Sequence, residues 1–209
     1  MRRLVLASGN PGKLRELEEL LAGAGVELSG LDTGVPEDAD SYAANASRKA
    51  EAASATAGLP ALADDSGLEV VALDGFPGPR SARVAATQVE RERVLFDRLA
   101  SVPRPWRARF VCVLALAVPG SPTRLFDGVT EGEVVERRDG GSGFGYDPVF
   151  LVPELGRTFA ELAPAEKNRW SHRGRAVRAL LASGALAAGR GGGGVSRAAR
   201  FVRRFRTWR

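Results

Sequence analysis

Two adjacent carboxylates, Asp64 and Asp65, interrupt an otherwise apolar stretch of the chain, and Ser66 and Gly67 follow them directly. The pattern is typical of a strand, a tight turn and a second strand, with the acids at the turn. Neighbouring carboxylates repel each other, and their oxygens are ligands that suit Mg²⁺. The pair could therefore hold a divalent cation while one Asp takes a proton from water. The alternative is a solvated turn, because these residue types are common in turns.

A loop of small and polar residues joins a predicted strand at residues 3–7 to a predicted helix at residues 13–21. Its glycines allow the backbone to approach an anion, the helix N-terminus favours negative charge, and Lys13 adds a cation. The loop is not a P-loop, because its glycines are too close together and Leu14 stands where Ser or Thr is required. It is either a phosphate-binding loop or an ordinary turn in which Pro11 begins the helix. The loop consists of Ser8, Gly9, Asn10, Pro11, Gly12 and Lys13.

Two later segments also carry side chains that could bind a ligand. Residues 141–148 are glycine-rich and include two aromatic rings that could stack on a flat base, although a hairpin-like connection is the alternative. Residues 167–173 gather an ammonium, an imidazole and guanidinium groups, donors that suit a phosphate or a base carbonyl. The alternative there is a solvated helix face. The side chains concerned are Phe144, Tyr146 and Asp147 in the first segment, and Lys167, His172 and Arg173 in the second.

The elements that must position these groups follow from hydrophobic periodicity. Early strands alternate with helices, and a predicted hairpin crosses the turn at residues 119–122. This order favours an α/β fold with a mixed central β-sheet and flanking helices. The predicted strands are residues 3–7, 26–31, 108–118, 125–136 and 149–152, and the predicted helices are residues 13–21, 41–56, 90–99 and 164–181.

Composition narrows the class of protein. With 209 residues, of which 44% are hydrophobic and 26% charged, the chain resembles an ordinary globular protein. Its longest apolar run, residues 110–118, has the length of a strand, so we expect no membrane association and a cytoplasmic location. Cys112 is the only cysteine and His172 the only histidine, which excludes an intramolecular disulfide and a His-rich zinc site.

Residues 190–209 form a Gly/Arg-rich basic tail with seven arginines and no acid. Without those arginines the formal net charge of +5 becomes −2, so the high pI is no evidence that the body, residues 1–189, binds nucleic acid. The tail is predicted to be disordered. The alternative is an adaptor, because apolar residues near helical spacing between the arginines could bind nucleic acid or a membrane surface.

Seven short motifs follow one another along the chain, in the segments 8–13, 63–68, 81–83, 108–110, 143–148, 158–162 and 166–173. In order and spacing they resemble the non-canonical purine nucleoside triphosphate pyrophosphatases, the inosine triphosphatase or Ham1-like family. The resemblance spans residues 3–185 and implies one domain, residues 1–189, with two lobes around an active-site cleft, and a homodimer. It also implies Mg²⁺-dependent hydrolysis of ITP, dITP and XTP to the monophosphate and pyrophosphate, which removes deaminated purines from the nucleotide pool.

The resemblance further implies a role for each segment. Asp65 would be the proton acceptor and a Mg²⁺ ligand, Asp64 would lie at the same metal, and Ser66 would touch the substrate. Donors aimed at a 6-oxo group would exclude adenine, because its amino group would leave them unpaired. The triphosphate and ribose are assigned to Ser8, Gly9, Asn10, Pro11, Gly12 and Lys13, the base pocket to Phe144, Gly145, Tyr146 and Asp147, and further nucleotide contacts to Lys167, His172 and Arg173.

One position departs from the family pattern. Ala44 precedes Asn45 at the place where the family carries a Glu that helps to hold Mg²⁺, with Asp38 or Asp40 as candidate replacements. The sequence therefore predicts weaker Mg²⁺ binding. A catalytically weakened nucleotide-binding relative is the resulting alternative to a competent enzyme.

Overall fold

Strands and helices alternate in the first half of the chain, and a long hairpin follows them. The computed structural model describes residues 2–136, 140–141 and 143–186. The basic tail lies outside the described residues, so its predicted disorder stays a prediction. In the described part, the strands are β1 (Arg2–Leu6), β2 (Val26–Gly30), β3 (Ala61–Val70), β4 (Trp106–Ala117), β5 (Arg124–Val134), β6 (Phe150–Val152) and β7 (Arg157–Thr158), and the helices are α1 (Pro11–Leu21), α2 (Tyr42–Ala57), α3 (Gln88–Leu99), α4 (Pro164–Trp170) and α5 (His172–Ala182).

These strands form one mixed sheet in the order β2-β1-β3-β4-β5-β6-β7. β1 runs parallel to both of its neighbours, and the remaining pairs are antiparallel. The predicted α/β fold with a mixed central sheet is therefore confirmed. Among the residues described, no helix is long and apolar enough to cross a membrane.

The acidic pair lies inside β3 and not at a turn, so the expected strand-turn-strand is wrong. β3 pairs with β4 along its whole length, with Asp64 opposite Leu114 and Asp65 opposite Val113. This continuous pairing outweighs the local turn preference of Asp, Ser and Gly. Because side chains alternate along a strand, the two carboxylates point to opposite faces of the sheet.

β3 carries apolar side chains towards both ends and polar ones in its middle. In β3, Leu62 and Ala63 pack in clusters with residues of β1, α1 and α2, whereas Leu68 and Val70 pack in an aromatic-rich cluster with α3 and β6. These clusters are the cores of two lobes. Residues 64–67 lie at the junction between the lobes, where side chains from both can meet.

α2 approaches the sheet closely because its buried face consists of small residues. Ala46, Ala50 and Ala53 pack against alanines of β3 and β4. The helix begins where the hydroxyl of Ser41 accepts a hydrogen bond from the third residue beyond it. The close packing carries buried polar residues of α2 to the middle of β3, as described below.

A glycine on β5 allows the start of α5 to touch the sheet. A Cβ on Gly128 would lie 2.0 Å from the carbonyl oxygen of His172 and 2.5 Å from the amide nitrogen of Ala176. No side chain fits in that space. Gly128 therefore permits the sheet to hold His172 and Arg173 beside β3 and β4.

Candidate active site

Two neighbouring cavities lie beside residues 64–67. One, of about 240 Å³, is bounded by β3, α3, the segment 143–147 and the start of α5. The other, of about 500 Å³, lies against the loop before α1 and the segment between β2 and α2. Both are lined by Asn10, Lys13 and Glu37, so together they form one cleft. Of the residues expected from the sequence, the smaller cavity is lined by Asn10, Lys13, Asp65, Ser66, Phe144, Gly145, Tyr146, Asp147, Lys167, His172 and Arg173, and the larger by Ser8, Gly9, Asn10, Pro11 and Lys13.

The loop before α1 is organised by Asn10, which caps the helix. Its Oδ1 accepts hydrogen bonds from the N–H groups of Gly12 (2.9 Å) and Lys13 (3.2 Å). Gly12 itself lines neither cavity. A Cβ at that position would lie 2.7 Å from the ring of Phe144, so the glycine lets this ring pack against α1.

Asp64, which also lines neither cavity, is the centre of a buried ion-pair cluster. Its Oδ2 lies 2.9 Å from Arg173 Nη2 and 3.3 Å from Lys13 Nζ. Burial alone would raise its pKa, but Lys13, Arg173 and Lys49 outweigh burial and hold the pKa of Asp64 well below its usual range. Asp64 is therefore a permanent anion that anchors two cations. Its Oδ1 is buried and has no hydrogen-bond partner among the described residues.

Asp65 points to the other face of β3 and lines the smaller cavity. Its Oδ2 accepts a hydrogen bond of 2.9 Å from Asn45 Nδ2 on α2. Burial raises the pKa of Asp65, against the lowering effect of Lys13, and the negative charge of Glu37 raises it further. A carboxylate with a raised pKa at the wall of a cleft is suited to accept a proton.

Glu37 faces the cleft from the segment between β2 and α2, and the sequence did not single it out. Its carboxylate forms ion pairs with Lys49 Nζ and, at 3.0 Å, with Arg83 Nη1. Lys49 Nζ also donates to the backbone carbonyl of Asp64 at 2.5 Å. The acids of this segment thus divide into two cleft residues, Glu37 and Asp32, and two surface residues, because Asp38 pairs with Arg48 and Asp40 with Arg80 at exposed positions.

A chain of alternating charges connects the two ends of the smaller cavity. Asp147 Oδ2 accepts from Lys167 Nζ at 2.6 Å, and Lys167 Nζ also lies 2.5 Å from Glu16 Oε1. Glu16 pairs in turn with Arg173, which binds Asp64. Burial raises the pKa of Glu16, but Arg173 and Lys167 outweigh it and lower that pKa below its usual value. Each buried charge therefore has an opposite partner, as its burial requires.

The aromatic residues of the segment 143–147 differ in their surroundings. Tyr146 is buried, its hydroxyl donates to the carbonyl of Ser81 at 3.4 Å, and burial raises its pKa to about 12. Phe144 is only half-buried, and Lys167 Nζ lies 4.9 Å from its ring centroid. Of the two rings expected to stack on a base, Phe144 is thus the one that a ligand can reach.

His172 is buried against the ring of Phe110, with centroids 4.6 Å apart and planes at 10°. Burial, reinforced by Arg173 and Lys167, lowers the pKa of His172 well below its usual value. The imidazole is therefore neutral near pH 7, with one nitrogen able to donate and the other to accept. Its Nδ1 has no partner among the described residues.

The sequence model of the Ham1 family matches residues 4–183. This chain belongs to the Ham1 family. The resemblance expected from the seven motifs is confirmed, over nearly the same span.

Relatives in the Ham1 family are close in sequence and in structure. A dITP/XTP pyrophosphatase of Symbiobacterium thermophilum is 51% identical over 185 residues, covering 86% of this chain and 93% of the relative. One from Thermus thermophilus is 48% identical over 186 residues, covering 86% and 90%. A HAM1 protein structure from Coxiella burnetii matches with a TM-score of 0.79 and 40% identity, covering 90% of this chain and all of the other.

The apparent departure at Ala44 needs a different interpretation in this Ham1 protein. Ala44 lines neither cavity, whereas Asn45 reaches Asp65 and Glu37 lines both cavities. Asp38 and Asp40, the two candidate replacements, lie at exposed ion pairs. The structure thus gives no support for a metal-facing position 44, and it supplies Glu37 as the cleft carboxylate instead.

Other residues of the site were also missed from the sequence. Glu16 offered only weak spacing evidence, because it lies one helical turn after Lys13. Gln88 and Arg91 at the start of α3 line the smaller cavity. Their position depends on how α3 docks, which no local pattern reveals.

Proposed function

We propose that this chain hydrolyses dITP, ITP and XTP to the nucleoside monophosphate and pyrophosphate. The observation that carries the proposal is one cleft with a proton-accepting carboxylate, Asp65, and buried donors, Lys167 and Arg173, on its walls. The names of the relatives, dITP/XTP pyrophosphatases at about half sequence identity, support the same substrate class.

In this reaction Asp65 takes a proton from a water molecule. The water oxygen attacks the α-phosphorus, the bond from that phosphorus to the bridging oxygen breaks, and pyrophosphate leaves. Lys13 and Lys49 line the larger cavity, where their positive charges would offset the negative charges of the triphosphate. Because little covalent chemistry is required of the protein, positioning and charge account for most of its contribution.

Asp65 and Glu37 fit a magnesium ion. Both residues line the smaller cavity, where their carboxylates are hard oxygen donors, and the negative charge of Glu37 raises the pKa of Asp65. Within the described residues no three His, Cys, Asp or Glu side chains form a complete cage. Mg²⁺ usually needs only one or two carboxylates, because water and substrate phosphates complete its shell. When bound, it would supply charge stabilisation at the phosphates.

Glu37 would have to release one ion pair to bind such a cation. Lys49 is the more firmly held partner, since its side chain is 9% exposed, compared with 36% for Arg83. We infer that Arg83 is the partner that moves away.

Selection of the base falls to the donors at the other end of the cleft. A 6-oxo group can accept hydrogen bonds from the N–H groups of Lys167, Arg173 and neutral His172. Adenine would bring an amino group to the same place and leave donors unpaired, which is costly in a buried site. The homodimer implied by the family resemblance and the cytoplasmic location expected from composition remain predictions.

A nucleotide panel with Mg²⁺ tests the proposed function. We expect pyrophosphate and monophosphate from ITP, dITP and XTP, and much slower turnover of ATP. Release of orthophosphate, or ATP as the best substrate, would contradict the proposal. Binding of ITP without release of any product would instead support the weakened relative.

A further inference from the structure

The carbonyl of the peptide between Gly145 and Tyr146 accepts a hydrogen bond from a side chain of α3. Gln88 Nε2 donates to the carbonyl oxygen of Gly145 at 2.7 Å and to Glu92 Oε1 at 2.8 Å. Both partners are acceptors, so the orientation of the Gln88 amide is fixed by its surroundings. Gln88, Gly145 and Tyr146 all line the smaller cavity.

This contact also determines where the neighbouring N–H group points. In a planar trans peptide the C=O and N–H bonds point in opposite directions. Since the Gly145 carbonyl faces Gln88, the N–H of Tyr146 points away from α3. In the described part of the chain this N–H has no hydrogen-bond partner. Because Tyr146 lines the smaller cavity, a ligand bound there could use this N–H as a donor.

The rest of the segment is held by other contacts that do not fix this peptide. Asp147 Oδ2 accepts from the N–H of Phe144 at 2.7 Å and from Lys167. Gly145 has a φ of +61°, and glycine has a wider choice of backbone conformations than any other residue. The peptide that follows it could therefore rotate if the tether were absent, and its carbonyl would then replace its N–H at the cavity wall.

We propose that Gln88 is a positioning residue for purine selection: it keeps the Tyr146 N–H, and not the Gly145 carbonyl, available to the base. An N–H matches the 6-oxo group of hypoxanthine or xanthine, whereas a carbonyl matches the 6-amino group of adenine. This inference rests on the proposed function and names the residue that sets the polarity of the base contact.

Two substitutions distinguish the effect of losing the N–H donor from the effect of replacing the Gln88 side chain. Gln88→Met retains the length and loses both N–H groups, whereas Gln88→Lys supplies N–H donors to the same two acceptors. Val89→Ala, at a residue that is 63% exposed on the same helix, is the matched control. For each protein, calorimetry measures the affinity for IMP and AMP, steady-state kinetics gives kcat and KM for ITP and ATP, and hydrogen exchange follows residues 143–147.

We expect Gln88→Met to lower the preference for IMP over AMP by roughly 3- to 10-fold, the worth of about one hydrogen bond. The change should lie in KM and not in kcat, with faster exchange at residues 143–147. Gln88→Lys should keep most of the preference, and Val89→Ala all of it. An unchanged preference in Gln88→Met, or equal losses in the Met and Lys variants, would overturn the inference.

The binding measurements keep this result apart from the test of the proposed function. If wild type released no pyrophosphate from ITP, the proposed function would fail, yet the IMP and AMP affinities would still report on Gln88. Equal wild-type affinities for IMP and AMP would overturn the inference even if pyrophosphate were released.

Discussion

Replacing Asp65 with Asn removes its ability to accept a proton and leaves the shape of the side chain nearly unchanged. An amide oxygen can still accept the 2.9 Å hydrogen bond from Asn45. An amide cannot take a proton from water at neutral pH. Loss of a general base alone lowers a rate by about 10²- to 10⁴-fold, so we expect at least that loss in pyrophosphate release. Removing a charge from the proposed metal site adds to it.

The same change should stabilise the protein near neutral pH. Burial raises the pKa of Asp65 in the folded state, so the ionised form is disfavoured there. A group with a raised folded pKa costs stability as pH rises through and above its unfolded pKa, which is about 3.9 for Asp. Asp65→Asn removes that cost. Its Tm should exceed that of wild type at neutral pH, and the difference should disappear in acid below the unfolded pKa.

Two measurements on the same samples test these expectations. Pyrophosphate release from ITP gives the loss of rate, and thermal unfolding across a pH series gives the change in Tm. A folded variant that retained a rate within a few-fold of wild type would refute the assignment of Asp65 as the base. A loss of rate together with a lowered Tm would mean that the substitution had damaged the site, and the electrostatic reasoning about its burial would be wrong.

Three further changes test other parts of the site. Asp64→Asn should lower the free energy of unfolding by roughly 3–5 kcal/mol, because buried Arg173 and partly buried Lys13 lose an ion-pair partner; an unchanged urea midpoint would contradict this. Glu37→Gln should weaken Mn²⁺ binding measured by electron paramagnetic resonance and raise the Mg²⁺ needed for half-maximal rate, whereas Ala44→Glu should change neither. If Ala44→Glu lowered the Mg²⁺ requirement, residue 44 would face the metal after all. Gly128→Ala should cost about 1–3 kcal/mol or more by overpacking against the start of α5, measured as a lower Tm, and a wild-type Tm would show that α5 can shift freely.

The sequence predicted the mixed sheet and the long hairpin, because periodicity reports on burial directly. It failed at β3, where Asp-Asp-Ser-Gly has strong turn preferences and only pairing with β4 overrides them. It also could not select Glu37 among the acids of the segment before α2. All of them look alike in the sequence, and only the path of that segment brings Glu37 and Asp32 to the cleft while Asp38 and Asp40 stay at the surface.

The network around Glu16 illustrates a second limit of sequence reasoning. Lys167 and Arg173 were identified as donors for a ligand, yet each is already paired with Glu16, which lies about 150 residues earlier in the chain. The 7-residue motif that carries both cations gives no hint of a shared counter-ion. Contacts of such long sequence separation follow from the packing of α1 against α4 and α5, which no local pattern encodes.

The arrangement of Asp64 and Asp65 on opposite faces of one strand makes the site sensitive to chain length. A one-residue insertion before them in β3 would exchange the faces that the two acids occupy. The permanent anion would then enter the cleft, and the proton acceptor would meet the buried cations. The ten paired positions between β3 and β4 therefore stabilise the sheet and also keep Asp64 and Asp65 on the faces that their different roles require. Homologues should accept insertions and deletions in the loops on either side of this strand, but not within residues 61–70.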